Sequence, residues 1–166
     1  MTKNYKIPVQ QTVDYTGKGN RRHFLNWFIQ QNDINVMAEV GVRDGRTTFH
    51  LLNQNPNLVI YAVDKSIAGF YNTEVKAKYG NRLIPVEALS TDGANSIRDA
   101  SLDLVFIDAD HSYEWVKKDI AAYKPKLKPG GWLTGHDIDF PGVNRAVNEV
   151  VQNYDVGTNN VWLTNI

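Results

Sequence analysis

Acidic side chains and histidines follow most of the apolar runs of this sequence, at the places where strands of a sheet would end. Glu39 closes one apolar run and is followed by Gly41, and Asp64 closes the next run. Further along the chain, Asp108 ends the fourth run and His136 follows the fifth. Carboxylates and imidazoles accept hydrogen bonds, move protons and bind divalent cations, so these residues predict a ligand site at the strand ends.

The segment from Glu39 to Gly45 predicts a ligand-binding turn between a strand and a helix. Gly41 and Gly45 let the backbone turn sharply and approach a ligand that a Cβ would repel. The spacing is Glu-x-Gly-x-x-x-Gly and not the Gly-x-Gly-x-x-Gly of dinucleotide sites, in which the helix N-terminus meets a pyrophosphate. An acid before the first glycine disfavours phosphate and suits a cationic ligand. S-adenosylmethionine, with a sulfonium and an ammonium group, is such a ligand.

An acid at the end of the second predicted strand favours recognition of a ribose. Asp64 stands nineteen residues after Gly45 and follows an almost wholly apolar run. A carboxylate at that place can accept hydrogen bonds from both ribose hydroxyls. The alternative is that Asp64 caps a helix or belongs to a loop.

Two further segments concentrate groups that could do chemistry. His111 is a candidate general base because histidine titrates near neutrality, with Asp110 as its neighbour. Alternatively, these two residues only cap and orient the helix that follows. His136 and Asp137 follow the next strand, and with Asp108 they predict a site for a divalent cation. The alternative there is hydrogen bonding between neighbouring strand ends.

A regular alternation of strands and helices would position these residues. Apolar runs predict strands at about residues 36–41, 58–64, 82–86, 102–108, 132–135 and 161–163. Helical spacing predicts helices at about residues 21–32, 46–54, 69–79, 113–127 and 143–151. Pro85 favours an edge position for the third strand. The alternation predicts an α/β, Rossmann-like fold with an open, mostly parallel, doubly wound sheet and helices on both faces.

Composition narrows the classes of function. The chain has 166 residues, a formal net charge of zero and no cysteine. Disulfides, thiolate catalysis and zinc–thiolate sites are therefore excluded, and the charge balance gives no reason to expect a nucleic-acid partner. We expect one domain over residues 1–166, with an arm or lid over residues 1–20. We also expect a cytoplasmic protein without a membrane partner, since no apolar signal region or membrane-length run is present; a homo-oligomer is compatible with the sequence.

Taken in order, these motifs resemble those of the class I S-adenosylmethionine-dependent methyltransferases. The matching segments are residues 39–45, Asp64, residues 106–110 and residues 127–131. Within that fold, residues 108–114 and 135–137 resemble the small bacterial methyltransferases called family 24. They are also similar to the catechol and caffeoyl-coenzyme A type O-methyltransferases.

The resemblance implies methyl transfer from S-adenosylmethionine to a small-molecule acceptor, with a hydroxyl oxygen favoured. It implies a set of donor-binding residues, namely Glu39, Gly41, Gly45, Asp64, Lys65, Ala88, Leu89 and Asp108. It also implies a divalent cation held by Asp108, His136 and Asp137, with His111 and Asp110 as catalytic residues. Two other functions remain open: a protein that binds the donor without turnover, and a nicotinamide-dependent oxidoreductase, which the glycine spacing disfavours.

Overall fold

The computed structural model describes residues 20–166, and the described strands form a single sheet of seven. The strands are β1 (Val36–Val40), β2 (Val59–Asp64), β3 (Leu83–Glu87), β4 (Leu102–Ile107), β5 (Leu127–Gly135), β6 (Asp155–Val156) and β7 (Trp162–Asn165). The helices are α1 (Arg21–Gln31), α2 (Arg46–Gln54), α3 (Thr73–Tyr79), α4 (Ser90–Gly93), α5 (Tyr113–Tyr123) and α6 (Pro141–Val150).

The strand order is β3-β2-β1-β4-β5-β7-β6, with β1 near the middle of the sheet. The pairs from β3 to β5 are parallel, and β7 runs antiparallel to both β5 and β6. The predicted open, mostly parallel sheet is therefore confirmed, as is the edge position of β3. Between β1 and β4 the strand order reverses, which is where sheets of this type bind ligands.

Two apolar layers cover the faces of the sheet. Residues of α1, α2 and α3 form one layer, in which Phe28 and Leu51 are buried. Residues of α5 and α6, with Ala94 and Ile97 after α4, form the other, around Tyr123 and Ala146. Side chains of a strand alternate between faces, so Glu39 of β1 points to the same side as α2.

The helix of residues 113–127 is shorter than its apolar spacing predicts. It ends at Tyr123, and a 3₁₀ turn over Lys124–Lys126 leads into β5, whose first residue is Leu127. Pro125 explains the difference, because proline lacks the N–H that would continue the helix and its ring clashes with the preceding turn. The expectation that Leu127 belongs to the helix is therefore wrong.

The start of α3 also differs from its predicted position. Helix α3 begins at Thr73 instead of near residue 69, because the side chain of Asn72 accepts a hydrogen bond from Val75 N at 2.9 Å. The predicted arm or lid over residues 1–20 lies outside the described residues, except for Asn20, which caps α1.

Across the part of the chain that the structure describes, no helix has the length and apolarity needed to cross a bilayer.

Candidate functional site

A cleft of about 840 Å³ opens at the carboxyl ends of the central strands, where the strand order reverses. Its volume is in the range of small-molecule sites in proteins. Most of the residues predicted to form the site line this cleft: Glu39, Gly41, Asp64, Lys65, Leu89, Asp108, Asp110, His111, His136 and Asp137. Two predicted donor-binding residues lie beside it: Gly45 caps α2, and Ala88 packs against the apolar core.

Glycine is required at both ends of the turn between β1 and α2. Gly41 has a φ of +92°, and a Cβ added there would lie 2.3 Å from the backbone oxygen of Asp108. Gly45 has a φ of +76°, and its Cβ would lie 2.6 Å from the ring of Phe49. The turn therefore packs directly against the end of β4, which brings the two halves of the predicted site together.

Glu39 is a buried acid at the base of the cleft. Its side chain is 2% exposed, and Oε2 accepts a short hydrogen bond from the hydroxyl of Thr48. Burial raises the pKa of Glu39 to about 8, against the opposing effect of the Thr48 hydrogen bond. The carboxyl group is therefore mostly protonated in the free protein at neutral pH.

Asp64 holds the glycine turn in place. Its Oδ2 accepts hydrogen bonds from Val42 N at 2.9 Å and from Arg43 N at 2.8 Å, and its Oδ1 accepts one from Ser66 N at 3.1 Å. Arg43 has a left-handed backbone with a φ of 60°. Asp64, the acid predicted to bind a ribose, therefore has a structural role in the glycine turn that the sequence did not indicate.

A group of charged and imidazole side chains lies at the ends of β4 and β5, and we call it the polar cluster: Arg21, Asp108, His111, His136 and Asp137. Arg21 Nη2 lies 3.3 Å from Asp108 Oδ2. His111 Nε2 lies 2.7 Å from Asp137 Oδ2 and 3.9 Å from Asp108 Oδ1. His136 Nδ1 lies 2.9 Å from Asp137 Oδ1 and 3.6 Å from Asp108 Oδ1. The carboxylates of Asp108 and Asp137 thus lie close to both imidazoles, and that of Asp108 also lies close to the guanidinium of Arg21.

The two histidines of the polar cluster differ in their surroundings. His136 is buried, and burial alone would lower its pKa, but the nearby carboxylates of Asp108 and Asp137 outweigh burial, and its pKa is raised. His111 is half-exposed, and its ring lies 5.0 Å from that of Phe140. The loop that carries His111 is held by Gly142, where a Cβ would lie 2.3 Å from the backbone oxygen of His111.

Asp110 has a local structural role. It is exposed, and its Oδ1 accepts a hydrogen bond from Ser112 N at 2.7 Å at the start of α5. The side-chain and backbone hydrogen bonds with Ser112 lower the pKa of Asp110. A carboxylate of lowered pKa is a weak base, so the geometry favours the capping interpretation of Asp110 over the catalytic one.

The polar cluster contains a donor set that fits a divalent cation. Ligand atoms of Asp108, His111 and Asp137 all lie within 4.8 Å of one another. His111 Nε2 approaches Asp137 closely, yet it lacks hydrogen-bond geometry with any partner among residues 20–166. His136, which the sequence suggested as the third ligand, is not part of this set, and its role as a ligand stays a prediction.

Sequence reasoning did not identify Arg21 as a site residue. Arg21 lies at the first position of α1, lines the cleft and reaches Asp108 across the sheet end. Its contact depends on how α1 packs, and an arginine near a helix start is too common to indicate a site. Trp115 of α5 also lines the cleft.

Comparison with known proteins gives one family. A family model described as a methyltransferase domain matches residues 38–138, a segment that contains the glycine turn, Asp64 and four of the five residues of the polar cluster. No curated protein matches the sequence significantly.

Three solved structures of similar fold are distant from this chain in sequence. A protein from Staphylococcus aureus, described as a candidate caffeoyl-CoA O-methyltransferase, has a TM-score of 0.73 at 15% identity, with 92% of this chain and 84% of that chain covered. An O-methyltransferase from Bacillus cereus, in complex with S-adenosylhomocysteine, has a TM-score of 0.68 at 16% identity, with 94% and 83% covered. CalS11, a TDP-rhamnose 3'-O-methyltransferase of calicheamicin biosynthesis, has a TM-score of 0.65 at 18% identity, with 98% and 88% covered. At these identities the likeness establishes the fold.

Proposed function

This chain belongs to the methyltransferase family whose model matches residues 38–138, and we propose that it transfers the methyl group of S-adenosylmethionine to a hydroxyl oxygen of a small molecule. The observation that carries the proposal is the position of the polar cluster, which lines the same cleft as the glycine turn. A donor bound at the turn would present its methyl group to an acceptor held at the ends of β4 and β5.

The donor half of the cleft suits each part of S-adenosylmethionine. Glu39 lies where it can meet the ammonium group, Asp64 keeps acceptor capacity for the ribose hydroxyls, and Leu89 offers an exposed apolar side chain to the adenine. Lys65 lines the cleft next to Asp64. These contacts support the donor over a dinucleotide, because the turn lacks the glycine pattern that places a pyrophosphate on a helix N-terminus.

The reaction needs positioning and the removal of one proton. The acceptor oxygen attacks the methyl carbon in line, the new C–O bond forms as the C–S bond breaks, and the sulfur keeps the electron pair as S-adenosylhomocysteine leaves. His111 accepts the hydroxyl proton in this proposal, and Asp137, 2.7 Å from its Nε2, stabilises the resulting imidazolium.

The same residues also fit the divalent cation that the fold family implies. Asp108, His111 and Asp137 would hold it, and when bound it would lower the pKa of the acceptor hydroxyl and orient that group. The two uses of His111 exclude each other, because a neutral imidazole that binds a cation through Nε2 carries its hydrogen on Nδ1, and neither nitrogen is then free to accept a proton.

Two measurements test the proposed function. Titration calorimetry with S-adenosylhomocysteine should show binding that NAD does not show, and label from the methyl group of S-adenosylmethionine should appear in a hydroxyl compound from an acceptor panel. Asp108→Asn should reduce transfer, whereas Asp99→Asn, an exposed acid paired with Lys126 at 2.6 Å, should not. Donor binding without transfer to any acceptor would instead support a binding protein without turnover.

A further inference from the structure

Two ring nitrogens are buried beside the polar cluster without hydrogen-bond partners among residues 20–166. They are Nε1 of Trp162 on β7 and Nε2 of His136 after β5. Trp162 is 1% exposed and His136 is 9% exposed, so bulk water does not satisfy these atoms. A buried polar atom left unsatisfied costs about 1–3 kcal/mol, and in native proteins such atoms are usually satisfied by an ordered water.

Both residues line a small cavity beneath the polar cluster. About 10 Å³ of it is open to the centre of a water-sized sphere, which is close to the least volume that holds one water. Asp108 also lines this cavity. The indole nitrogen lies near the strand end that carries His136, because a Cβ on Gly135 would come within 2.6 Å of Trp162 Nε1.

We propose that one ordered water occupies this cavity and bridges Trp162 Nε1 to His136 Nε2, which makes His136 a positioning residue for Asp108 and Asp137. The indole N–H donates to the water oxygen, and the water donates to His136 Nε2. The ring hydrogen is then on Nδ1, which lies 2.9 Å from Asp137 Oδ1 and 3.6 Å from Asp108 Oδ1.

The bridge suits either protonation state of His136. When both ring nitrogens carry hydrogen, the water accepts from Trp162 and from His136 and donates to Asp108, so no partner is lost. In both states Nδ1 is a donor toward the carboxylates and is not available to a cation. The positioning role rests on the proposed function, but the water bridge does not.

The bridge is tested on the free protein, by nitrogen-15 spectroscopy of the His136 ring and by a high-resolution crystal structure. We expect a protonated Nδ1, a hydrogen-bonded Nε2, and density for one water between Nε2 and the indole. Trp162→Phe removes the donor and should shift the His136 ring resonances. Trp132→Phe is the matched control, since Trp132 lies on β5 with its ring edge-on to Phe28 at 4.9 Å.

Equal ring resonances in the two tryptophan variants, or a dry cavity in the crystal, would overturn the bridge. His136→Asn gives an independent measurement if Trp162→Phe fails to fold: it removes Nε2 and should move the Trp162 indole resonance. An unmoved indole resonance would also count against the bridge. These readouts hold even if the protein does not methylate a hydroxyl compound.

The positioning role has its own kinetic signature. Trp162→Phe should lower kcat for methyl transfer about tenfold or more, the usual cost of losing a group that orients a reactive residue, with KM for the donor unchanged. His136→Asn places an amide nitrogen where Nδ1 stood and should retain more activity than His136→Gln. If the water is present but Trp162→Phe keeps its full kcat, the bridge is structural only and the positioning role is wrong.

Discussion

His111 is the residue on which the proposed chemistry depends most. His111→Gln should lower methyl transfer by roughly 10²–10⁴-fold, the range for loss of a general base, and leave affinity for S-adenosylhomocysteine unchanged. His23→Gln on α1 is a suitable control, because its ring lies 5.1 Å from His50 and outside the polar cluster. Equal turnover in the two variants would show that His111 only orients the loop.

A chelator separates the two uses of His111. If His111 is a cation ligand, wild-type turnover should disappear in EDTA and return with Mn²⁺. If it is the base, turnover should survive EDTA, and only the His111→Gln variant should be slow.

Asp64 combines a predicted ligand contact with a structural role. Asp64→Asn keeps one oxygen for the two N–H groups of the turn but loses the charge, so donor binding should weaken by about 1–3 kcal/mol with a small loss of stability. Asp64→Ala should also destabilise the fold, because it leaves three backbone N–H groups without their acceptor. Calorimetry and thermal unfolding on the same samples measure both effects. Wild-type affinity in a folded Asp64→Asn protein would argue against ribose recognition.

At the scale of elements, the turn between β1 and α2 sets the distance between the two halves of the cleft. Gly41→Ala should unfold the turn or lose donor binding, since its Cβ would lie 2.3 Å from the backbone of Asp108 in addition to a strained positive φ. Gly80→Ala isolates the strain, because Gly80 has a φ of +55° with open space around its Cβ. We expect the Gly80 variant to lose about 1–3 kcal/mol of stability and to bind S-adenosylhomocysteine normally. Normal binding by both variants would contradict the importance of this close approach.

The elements that the sequence predicts well are those with strong periodicity or a glycine turn. The spacing of Val143, Ala146 and Val147 identifies α6, whose buried residues are these three. Boundaries set by a proline or by a distant contact are harder, as at Pro125. Contacts between distant elements are hardest to predict. Arg21 of α1 reaches Asp108 at the end of β4, and the sequence carries no signal for that contact.

At the scale of the whole molecule, strand-end acids identify the edge of the sheet that carries the site, but their chemical state depends on burial. Glu39 and Asp119 are 2% and 0% exposed, and the sequence alone does not distinguish them from the exposed acids around them. Neither oxygen of Asp119 has a hydrogen-bond partner within the described part of the chain. Burial raises the pKa of Asp119 to about 6, against the nearby hydroxyl of Ser90.

These two carboxyl groups should make the stability of the free protein fall as pH rises. Each pKa is higher in the folded state than in the unfolded state, so the folded state binds more protons between about pH 4 and pH 8. Their contribution is full below the unfolded pKa and is lost as pH rises through the folded pKa. When the pH rises from 5 to 8, the Glu39→Gln and Asp119→Asn variants should therefore each lose less stability than the wild type. The two differences should sum to on the order of a few kcal/mol. Denaturant unfolding at both pH values measures the difference, with Glu74→Gln, an exposed acid of α3, as the control.

Parallel curves of stability against pH for the wild type and the Glu39 and Asp119 variants would mean that both acids stay ionised in the fold. Glu39 would then meet the donor ammonium as a carboxylate without first releasing a proton.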